Sequence, residues 1–369
     1  MQAPFLNKYS DFLFFYLKIC FFSFINRIFI HFICSGILSF RRRIYWGRKE
    51  SERMITMTTL FAPEGQRLHA EENRRAQRSP AALREACGTG QILEARAILC
   101  DSEHNLHVDL PCMAGVIPRE EGALSLGDGG VRDIALISRV SKPVCFTVTG
   151  FRTLPGGEKQ AILSRRDAQR RCREQYLQKL RPGDILPARV TRLEPFGAFC
   201  DIGCGIAALL PIANISVSRI PHPSERFSVG TDLFCAVSSF DGDRLCLTQK
   251  ELLGTWEQNA ALFYQGETVA GIVRSVEEYG IFVELTPNLA GLAEPHPGVR
   301  PGMQAGVYIK SILPDRMKIK LVLIDAQDAA CSPPPLRYFQ TEGHISRFLY
   351  SPACCARRIE TVFDVDPPA

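Results

Sequence analysis

ARVTRLEPFGAFCDIGCGIAALLP at 188–211 and AGIVRSVEEYGIFVELTPNLAGLAE at 270–294 are two copies of one pattern, and they decide the fold of this chain. A constant offset aligns the two regions: Gly183 with Gly266, Phe196 with Tyr279, Gly197 with Gly280, and Phe199 with Phe282. Each copy has short alternating apolar runs separated by Gly, Pro and Asp, which is typical of small all-β units. A repeat of this kind predicts consecutive copies of one β domain.

A fainter copy precedes these two and reads GQILEARAILCDSEHNLHVDL at 90–110. It has His104 and His107 where the second copy has Phe196 and Phe199. Asn105 replaces the intervening glycine, and asparagine tolerates a left-handed backbone conformation. We therefore expect three β domains, of which the first is degenerate.

The segments outside the copies predict short helices and an unassigned tail. Residues 63–86 are polar and helical in pattern. The basic segment SRRDAQRRCREQYLQKLRPGD at 164–184 predicts a helix stopped by Pro182 and Gly183, and 256–264 predicts a second helical linker. The tail from Cys331 contains short strand-like pieces such as RIETVF, to which the pattern assigns no role.

The second copy and its extensions, PGDILPARVTRLEPFGAFCDIGCGIAALLPIANIS and FSVGTDLFCAVSSFDGDRLCLTQKEL, resemble the S-one RNA-binding domain of ribosomal protein S-one. The resemblance extends over residues 88–325 and is strong for the second copy, good for the third and weak for the first. It implies an all-β fold of three tandem five-stranded oligonucleotide-binding (OB) barrels with Greek-key order, joined by short helices. Three tandem copies are similar to the small S-one relatives of Gram-positive bacteria.

The resemblance and the composition together divide the chain into six parts. They are a hydrophobic N-terminal extension (1–53), a polar helical segment (54–86), a degenerate barrel (87–168), an RNA-binding barrel (181–252), a further RNA-binding barrel (264–325) and a C-terminal tail (326–369).

The resemblance also implies which side chains contact RNA. They are Phe196, Phe199, Asp241 and Arg244 in the second barrel, and Tyr279, Phe282, Asp315 and Lys318 in the third. Two aromatic rings around a glycine that bends or bulges the strand can stack on two successive bases. Arginine can contact phosphate, and aspartate can accept a hydrogen bond from a base or ribose. From the residues alone, the alternative is that both phenylalanines belong to the core.

Departures from the family pattern predict unequal barrels. The family's histidine after the glycine-rich turn is Pro211 in the second barrel and Glu294 in the third, where a carboxylate would repel phosphate. His104 and His107 would stack only weakly, so we expect a folded first barrel that does not bind. RNA affinity should therefore decrease in the order second, third, first, and the linker at 256–264 should let the second and third barrels act together.

The net charge of +5 does not by itself indicate nucleic-acid binding. Residues 1–53 contain nine Lys and Arg against three Asp and Glu, whereas the rest of the chain contains 35 against 36. Any electrostatic attraction to nucleic acid must therefore come from local clusters of basic residues. The arginines of the basic helix could follow the RNA backbone or form a solvated helix face: Arg165, Arg166, Arg170, Arg171 and Arg173.

These features predict a non-catalytic protein of translation that binds single-stranded RNA, namely mRNA at the small ribosomal subunit, in the cytoplasm. The sequence shows no phosphate-binding loop, nucleophile elbow or carboxylate pair, so we expect no enzyme activity, no cofactor and no small-molecule substrate. Two alternatives stay open: a regulator of RNA stability or transcription that uses the same barrels, and a protein-interaction module.

The 14 cysteines include no CxxC pair. Cys200, Cys204, His222 and Cys235 could in principle gather round zinc. The absence of finger-type spacing favours buried free thiols in a reducing compartment, so we expect no metal.

The first 53 residues contain ten of the 23 phenylalanines. Their longest stretch without Lys, Arg, Asp or Glu is Ile28–Phe40, whereas a membrane span needs about 20 apolar residues. Because composition changes abruptly near Met54 and Met57, we expect this extension not to be native; a membrane anchor followed by Arg41–Arg43 is the alternative.

Overall fold

The computed structural model of the chain describes residues 60–124, 132–242, 244–328 and 336–364. The N-terminal extension and both candidate start residues, Met54 and Met57, lie outside the described residues. Within them, strands predominate and form three closed five-stranded barrels and one short two-stranded sheet. The predicted all-β fold of three tandem barrels is confirmed.

Two short helices precede the first barrel, α1 (Glu71–Gln77) and α2 (Pro80–Thr89). Helix α2 begins after Ser79, whose side chain accepts a hydrogen bond from the backbone N–H of Ala82, and ends at Gly90, where φ is 65°. Serine before the first turn and a left-handed glycine after the last are common signals for helix ends. The segment 63–86, predicted to be helical, is helical only from Glu71 to Gln77 and from Pro80 onward, and residues 63–70 form turns.

The first barrel contains five strands, with a short helix α3 (Asp133–Ile137) between the third and the fourth. The strands are β1 (Leu93–Cys100), β2 (Leu106–Leu110), β3 (Met113–Ile117), β4 (Pro143–Thr153) and β5 (Lys159–Ser164). Leu93, Phe146 and Leu163 are fully buried in its core, and burial of each such side chain contributes about 1.5–3 kcal/mol. The degenerate sequence thus still forms a packed barrel.

Helix α4 (Arg165–Gln175) follows β5 directly and leads into the second barrel. The strands of that barrel are β6 (Ile185–Glu194), β7 (Gly197–Asp201), β8 (Ala207–Pro211), β9 (Asp232–Asp241) and β10 (Arg244–Thr248). The helix occupies the predicted segment but ends at Gln175, before the predicted stop at Pro182, and a 3₁₀ turn at Leu177–Lys179 continues the connection.

Helix α5 (Trp256–Ala260) joins the second barrel to the third, and Thr255 and Gln258 form a capping box at its start. The third barrel contains β11 (Thr268–Glu277), β12 (Gly280–Thr286), β13 (Leu289–Ala293), β14 (Gln304–Leu313) and β15 (Lys318–Gln327). The helix is shorter than the predicted linker at 256–264, because it ends at Ala260, and Trp256 is buried in the core of the third barrel.

All three barrels have one strand topology. In each, the first strand pairs with the second and the fourth, and the fifth strand lies between the third and the fourth, parallel to the third. This is the closed five-stranded arrangement expected of OB folds. The first strand of each barrel carries a β-bulge at an equivalent point: between Ala97 and Leu99, Val190 and Arg192, and Val273 and Ser275. Such a bulge bends the strand.

The first and second barrels meet around the buried carboxylate of Glu64. It accepts a hydrogen bond of 2.7 Å from Nε of Arg165 and lies 3.2 Å from Nη1 of Arg139. The backbone N–H of Glu64 donates to Oδ2 of Asp201 in the second barrel. Burial alone would raise the pKa of Glu64, but the charge and hydrogen bond of Arg165 outweigh it and lower that pKa. Burial raises the pKa of the neighbouring Asp201 to about 7.

The second and third barrels share a buried ion cluster. Nη2 of Arg226, in the loop after β8, lies 2.6 Å from Oε2 of Glu284 on β12. Nε of Arg274, on β11, lies 2.8 Å from the same oxygen, and its Nη1 lies 3.0 Å from Glu225. The fully buried Asn288 donates to the carbonyl oxygen of Gly254, at the start of the linker. These contacts fix the two barrels against each other.

The C-terminal tail contacts both of these barrels and contains a two-stranded sheet, β16 (Arg347–Leu349) with β17 (Glu360–Val362). Nδ1 of His344 lies 2.7 Å from Oδ1 of Asp184 in the second barrel. The hydroxyl of Tyr350 donates to the carbonyl oxygen of Asn288 in the third. The sequence assigned no role to the tail. In the structure it binds to both barrels and holds them together.

Candidate nucleic-acid interface

The turn between β6 and β7 presents the two aromatic rings of the second barrel. Phe196 is 55% exposed at the turn, and Phe199 is partly exposed on β7. Their ring centroids lie 6.0 Å apart with the planes at 88°. Neither ring lies in the barrel core, so the core alternative is wrong for this pair.

Strand register places polar partners on the same face of the barrel as Phe199. Phe199 pairs with Leu209 on β8, and Leu209 pairs with Cys246 on β10. Arg244 lies two positions before Cys246 and therefore shares its face, and its cross-strand partner is Asp241. The four predicted contact residues of the second barrel thus lie on one exposed face.

Arg192 also belongs to this face, and the sequence reasoning missed it. It is the cross-strand partner of Phe199, and its guanidinium lies 6.0 Å from the centroid of that ring. It also forms an ion pair with Glu194. The alternation of apolar and polar residues along β6 could have indicated that Arg192 faces outward. The bulge before Arg192 shifts this alternation by one residue, so the sequence did not show which residues of the strand are exposed.

Gly197 has a different role from the predicted one. The bulge lies in β6, before Arg192, and not at Gly197. A Cβ atom at position 197 would lie 2.4 Å from the carbonyl oxygen of Leu210. The glycine is therefore needed because β8 approaches β7 too closely for a side chain.

The third barrel repeats the aromatic pair. Tyr279 is 68% exposed, Phe282 is partly exposed, and their centroids lie 6.2 Å apart at 88°. Phe282 pairs with Leu292, and Leu292 with Lys320. The exposed Lys320 therefore occupies the place that Cys246 has in the second barrel, and the sequence reasoning missed it.

Asp315 does not occupy the position in the third barrel that Asp241 has in the second, so this predicted equivalence is wrong. Lys318 is exposed at the start of β15, as Arg244 is at the start of β10, but its cross-strand partner is Leu313. Asp315 lies in a 3₁₀ turn between the strands, 3.5 Å from the guanidinium of Arg316. The connection is longer than in the second barrel, and this moves the carboxylate out of the strand face.

The two histidines of the first barrel are held by carboxylates. Nε2 of His107 lies 3.0 Å from Oδ2 of Asp101, and Nε2 of His104 lies 3.8 Å from Asp133. The hydrogen bond of His107 lowers the pKa of Asp101 to about 2. The left-handed residue of this turn is His104, with φ of 63°, and not Asn105 as predicted. The reason is that the Asp101 carboxylate accepts the backbone N–H of Asn105 and sets the turn.

The basic helix does not offer the row of free arginines that the sequence suggested. Arg165 is buried against Glu64, so it neither follows RNA nor belongs to a solvated face. Arg170 is exposed but pairs with Asp167 and Glu174. Arg166 is exposed and lies 3.2 Å from Glu121. Glu64 lies far from α4 in the sequence, and no local pattern could reveal this pairing.

Three cysteines of the second barrel are free and buried, Cys200, Cys204 and Cys235, and a fourth, Cys246, is free and partly buried. Burial raises the pKa of Cys200 to about 12. In the described part of the chain, no three side chains of His, Cys, Asp or Glu converge on a metal-sized site. No helix within the described ranges is long and apolar enough to span a membrane.

Comparison with known proteins finds one matching domain family and several similar proteins. Residues 179–244 match the S1 RNA binding domain family. The small ribosomal subunit protein bS1 of Staphylococcus aureus strain COL is 32% identical over 180 residues, which cover 44% of this chain and 46% of that protein. Its homologue in Bacillus subtilis strain 168 is 30% identical over 189 residues, covering 46% of this chain and 49% of the relative.

The chain thus spans about half the length of the curated relatives that it matches. A crystal structure of a multidomain protein with nucleic acid binding domains from Streptococcus pneumoniae TIGR4 matches 64% of this chain and 74% of its own, at 16% identity and a TM-score of 0.23. The S1 (S-one) match coincides with the second barrel, which carries the clearest aromatic and basic face. The second of the three OB-type barrels is therefore similar to the S1 RNA binding domain family, and part of the chain is similar to proteins named small ribosomal subunit protein bS1.

Proposed function

We propose that this chain is a non-catalytic protein that binds single-stranded RNA on the aromatic faces of its second and third barrels. The observation that carries the proposal is the exposed pair Phe196 and Phe199, perpendicular to each other and flanked by Arg192, Arg244 and Asp241. Burying such rings would stabilise the barrel, so their exposure favours a role in binding.

The face suits single strands rather than duplexes. Bases in a duplex are stacked on each other, whereas those of a single strand can stack on exposed aromatic rings, each contributing about 1–3 kcal/mol. Arg244 and Arg192 can contact phosphates, and Asp241 can accept a hydrogen bond from a base or ribose hydroxyl. Stacking has little sequence preference, so we expect broad RNA specificity.

The biological role that we propose is mRNA binding at the small ribosomal subunit, in the cytoplasm. The support is the similarity to proteins named as small ribosomal subunit protein bS1 and the matched RNA binding domain. Co-sedimentation with polysomes would support this role, whereas a chain that binds RNA but stays out of ribosomal fractions would fit a regulator of RNA stability or transcription.

The test of RNA binding is Phe196→Ala combined with Phe199→Ala in the full chain. Loss of two stacking rings should weaken binding of single-stranded RNA by about 2–4 kcal/mol in fluorescence anisotropy. His104→Ala with His107→Ala is the matched control, since both imidazoles already face carboxylates. An unchanged RNA affinity in a folded Phe variant, checked by circular dichroism, would contradict the proposal.

A further inference from the structure

Three exposed lysines lie on the outer surface of the third barrel beside its aromatic pair. They are Lys310 on β14 and Lys318 and Lys320 on β15. Within the described residues, none of the three has a carboxylate at ion-pair distance. Their charges are therefore not neutralised by the fold.

The register connects these lysines to the aromatic pair. Lys320 lies two strands from Phe282, through Leu292 on the strand between them, and all three share one face. Neighbouring strands lie about 4.8 Å apart, so the two backbones are about 10 Å apart. The flexible four-carbon stem of lysine can cover much of this distance, so Lys320 can reach a phosphate of a strand stacked on Phe282.

The same outer surface continues to another exposed aromatic ring. Val322, two residues beyond Lys320, pairs with Tyr308 on β14, and these side chains are 43% and 40% exposed. Lys310 lies two residues from Tyr308, in the bulge between Ile309 and Ser311. Along this surface, away from Phe282, two positively charged side chains are thus followed by an aromatic ring: Lys320, Lys310 and then Tyr308.

The equivalent surface of the second barrel is closed. Thr248 and Ala236 occupy there the positions of Val322 and Tyr308, and both are buried. Ile345 and Phe363 of the C-terminal tail pack in the cluster that contains Ala236. The tail covers this surface in the second barrel and leaves it open in the third.

We propose that the RNA site of the third barrel extends from Tyr279 and Phe282 across β15 and β14, along Lys320 and Lys310, to Tyr308. The lysines contact phosphates, and Tyr308 stacks on a further base. The proposal rests on the RNA binding proposed above and assigns to the third barrel a longer and more salt-dependent site than the second. It also offsets the unfavourable carboxylate of Glu294.

The test uses the full chain and labelled oligouridine of about 6 and about 16 nucleotides, lengths that span the usual site sizes of OB folds. Lys310→Ala with Lys320→Ala should make the slope of log affinity against log salt shallower by about 1.4, since each phosphate contact on a single strand contributes about 0.7. Affinity for the longer RNA should fall about tenfold at low salt. Arginine at both positions should preserve the slope.

Two further variants complete the design. Lys142→Ala with Lys159→Ala removes the same charge from exposed positions of the first barrel and should leave the slope unchanged. Tyr308→Ala should weaken binding of the longer RNA about fivefold or more and leave the shorter RNA unaffected.

The inference is overturned if the two lysine pairs give equal slopes, or if Tyr308→Ala affects neither RNA; the surface would then serve a protein partner or none. Alanine at all four platform rings (Phe196, Phe199, Tyr279 and Phe282) is measured in parallel. If the platform variant loses RNA binding and the Lys310→Ala, Lys320→Ala variant binds RNA as the native chain does, only the extension of the site is rejected. Unchanged binding in the platform variant rejects the proposed function itself.

Discussion

At the residue scale, the approach of β8 to β7 leaves no space for a side chain at Gly197. A Cβ atom there would meet the carbonyl oxygen of Leu210 and the Cα of Pro211, both of which belong to a paired strand. The turn that carries Phe196 and the strand that carries Phe199 join at this glycine. The glycine therefore positions the aromatic pair through packing rather than through an unusual backbone conformation.

Gly197→Ala should lower the free energy of unfolding by about 1–3 kcal/mol, since the two strands must move apart to accommodate the methyl group. Gly150→Ala, on β4 of the first barrel, is the control, because a Cβ atom there has no neighbour within 4 Å. Urea unfolding of both variants measures the difference. Equal stability of the two variants would show that the strands can separate freely at Gly197.

The residues that could be predicted from the sequence are those with a local signature. The aromatic positions follow from the repeated pattern around a glycine, and the resemblance indicated that they face outward. Arg192 and Lys320 could not be found in this way, because their places beside Phe199 and Phe282 depend on strand register and on bulges. The position of Asp315 was misjudged for the same reason, since the length of the connecting turn decides where the carboxylate lies.

At the scale of single elements, helix α4 is held in place by its first residue, Arg165. Arg165 is buried against Glu64, which lies in the segment before α1, and also contacts the carbonyl oxygen of Gly122. The helix thus joins the N-terminal segment to the first barrel. Its helical propensity could be read from the sequence, but its buried face could not, because the partner of Arg165 is distant in the chain.

Arg165→Met should lower the free energy of unfolding by about 3–5 kcal/mol at neutral pH, because Glu64 would remain as a buried charge with weaker compensation. In this variant burial would raise the pKa of Glu64 above 4.5. A raised pKa means that the folded state binds the proton more tightly than the unfolded state does, so stability falls as pH rises through this range. The deficit relative to the native chain should therefore be larger at pH 8 than at about pH 4.5.

Arg170→Met is the matched control on the exposed side of the same helix, where an ion pair contributes at most about 1 kcal/mol. Thermal unfolding across the pH range measures both variants. A deficit of Arg165→Met that is constant with pH would show that the pKa of Glu64 is not raised in the folded variant, and burial of an uncompensated carboxylate would then not be the cause of the instability.

At the scale of the whole molecule, the second and third barrels are packed together instead of being connected only by a flexible linker. The repeat predicted their number and their fold, and the sequence predicted a helical linker at 256–264 between them but no packing contact. Trp256 instead belongs to the core of the third barrel, and the tail clamps both barrels. The interface between the two barrels contains the ion pair of Arg226 with Glu284. Glu284 lies in the repeated stretch, but Arg226 lies in a loop outside it, so the repeat could not reveal the pair.

A fixed arrangement of two weak sites raises the effective concentration of the second site once the first has bound RNA. Glu284→Ala should disturb this arrangement, since Arg226 and Arg274 would both lose a buried partner, at a cost of about 3–5 kcal/mol. Binding of an RNA of about 16 nucleotides should weaken toward that of a single barrel, whereas an RNA of about 6 nucleotides should bind as before. Glu278→Ala, at an exposed position before β12, is the control and should change neither.

If Glu284→Ala fails to fold, Arg226→Met with Glu284→Met separates charge from packing. Replacing both partners of a buried ion pair by apolar side chains is often neutral or stabilising, so this double variant should fold. Because Arg274 keeps Glu225 as a partner, the interface should persist, and affinity for the longer RNA should match that of the native chain. Calorimetric unfolding together with RNA titration checks both expectations. A double variant that folds but binds the longer RNA no better than the shorter one would show that the ion cluster acts on RNA affinity by some route other than the fixed packing of the two barrels.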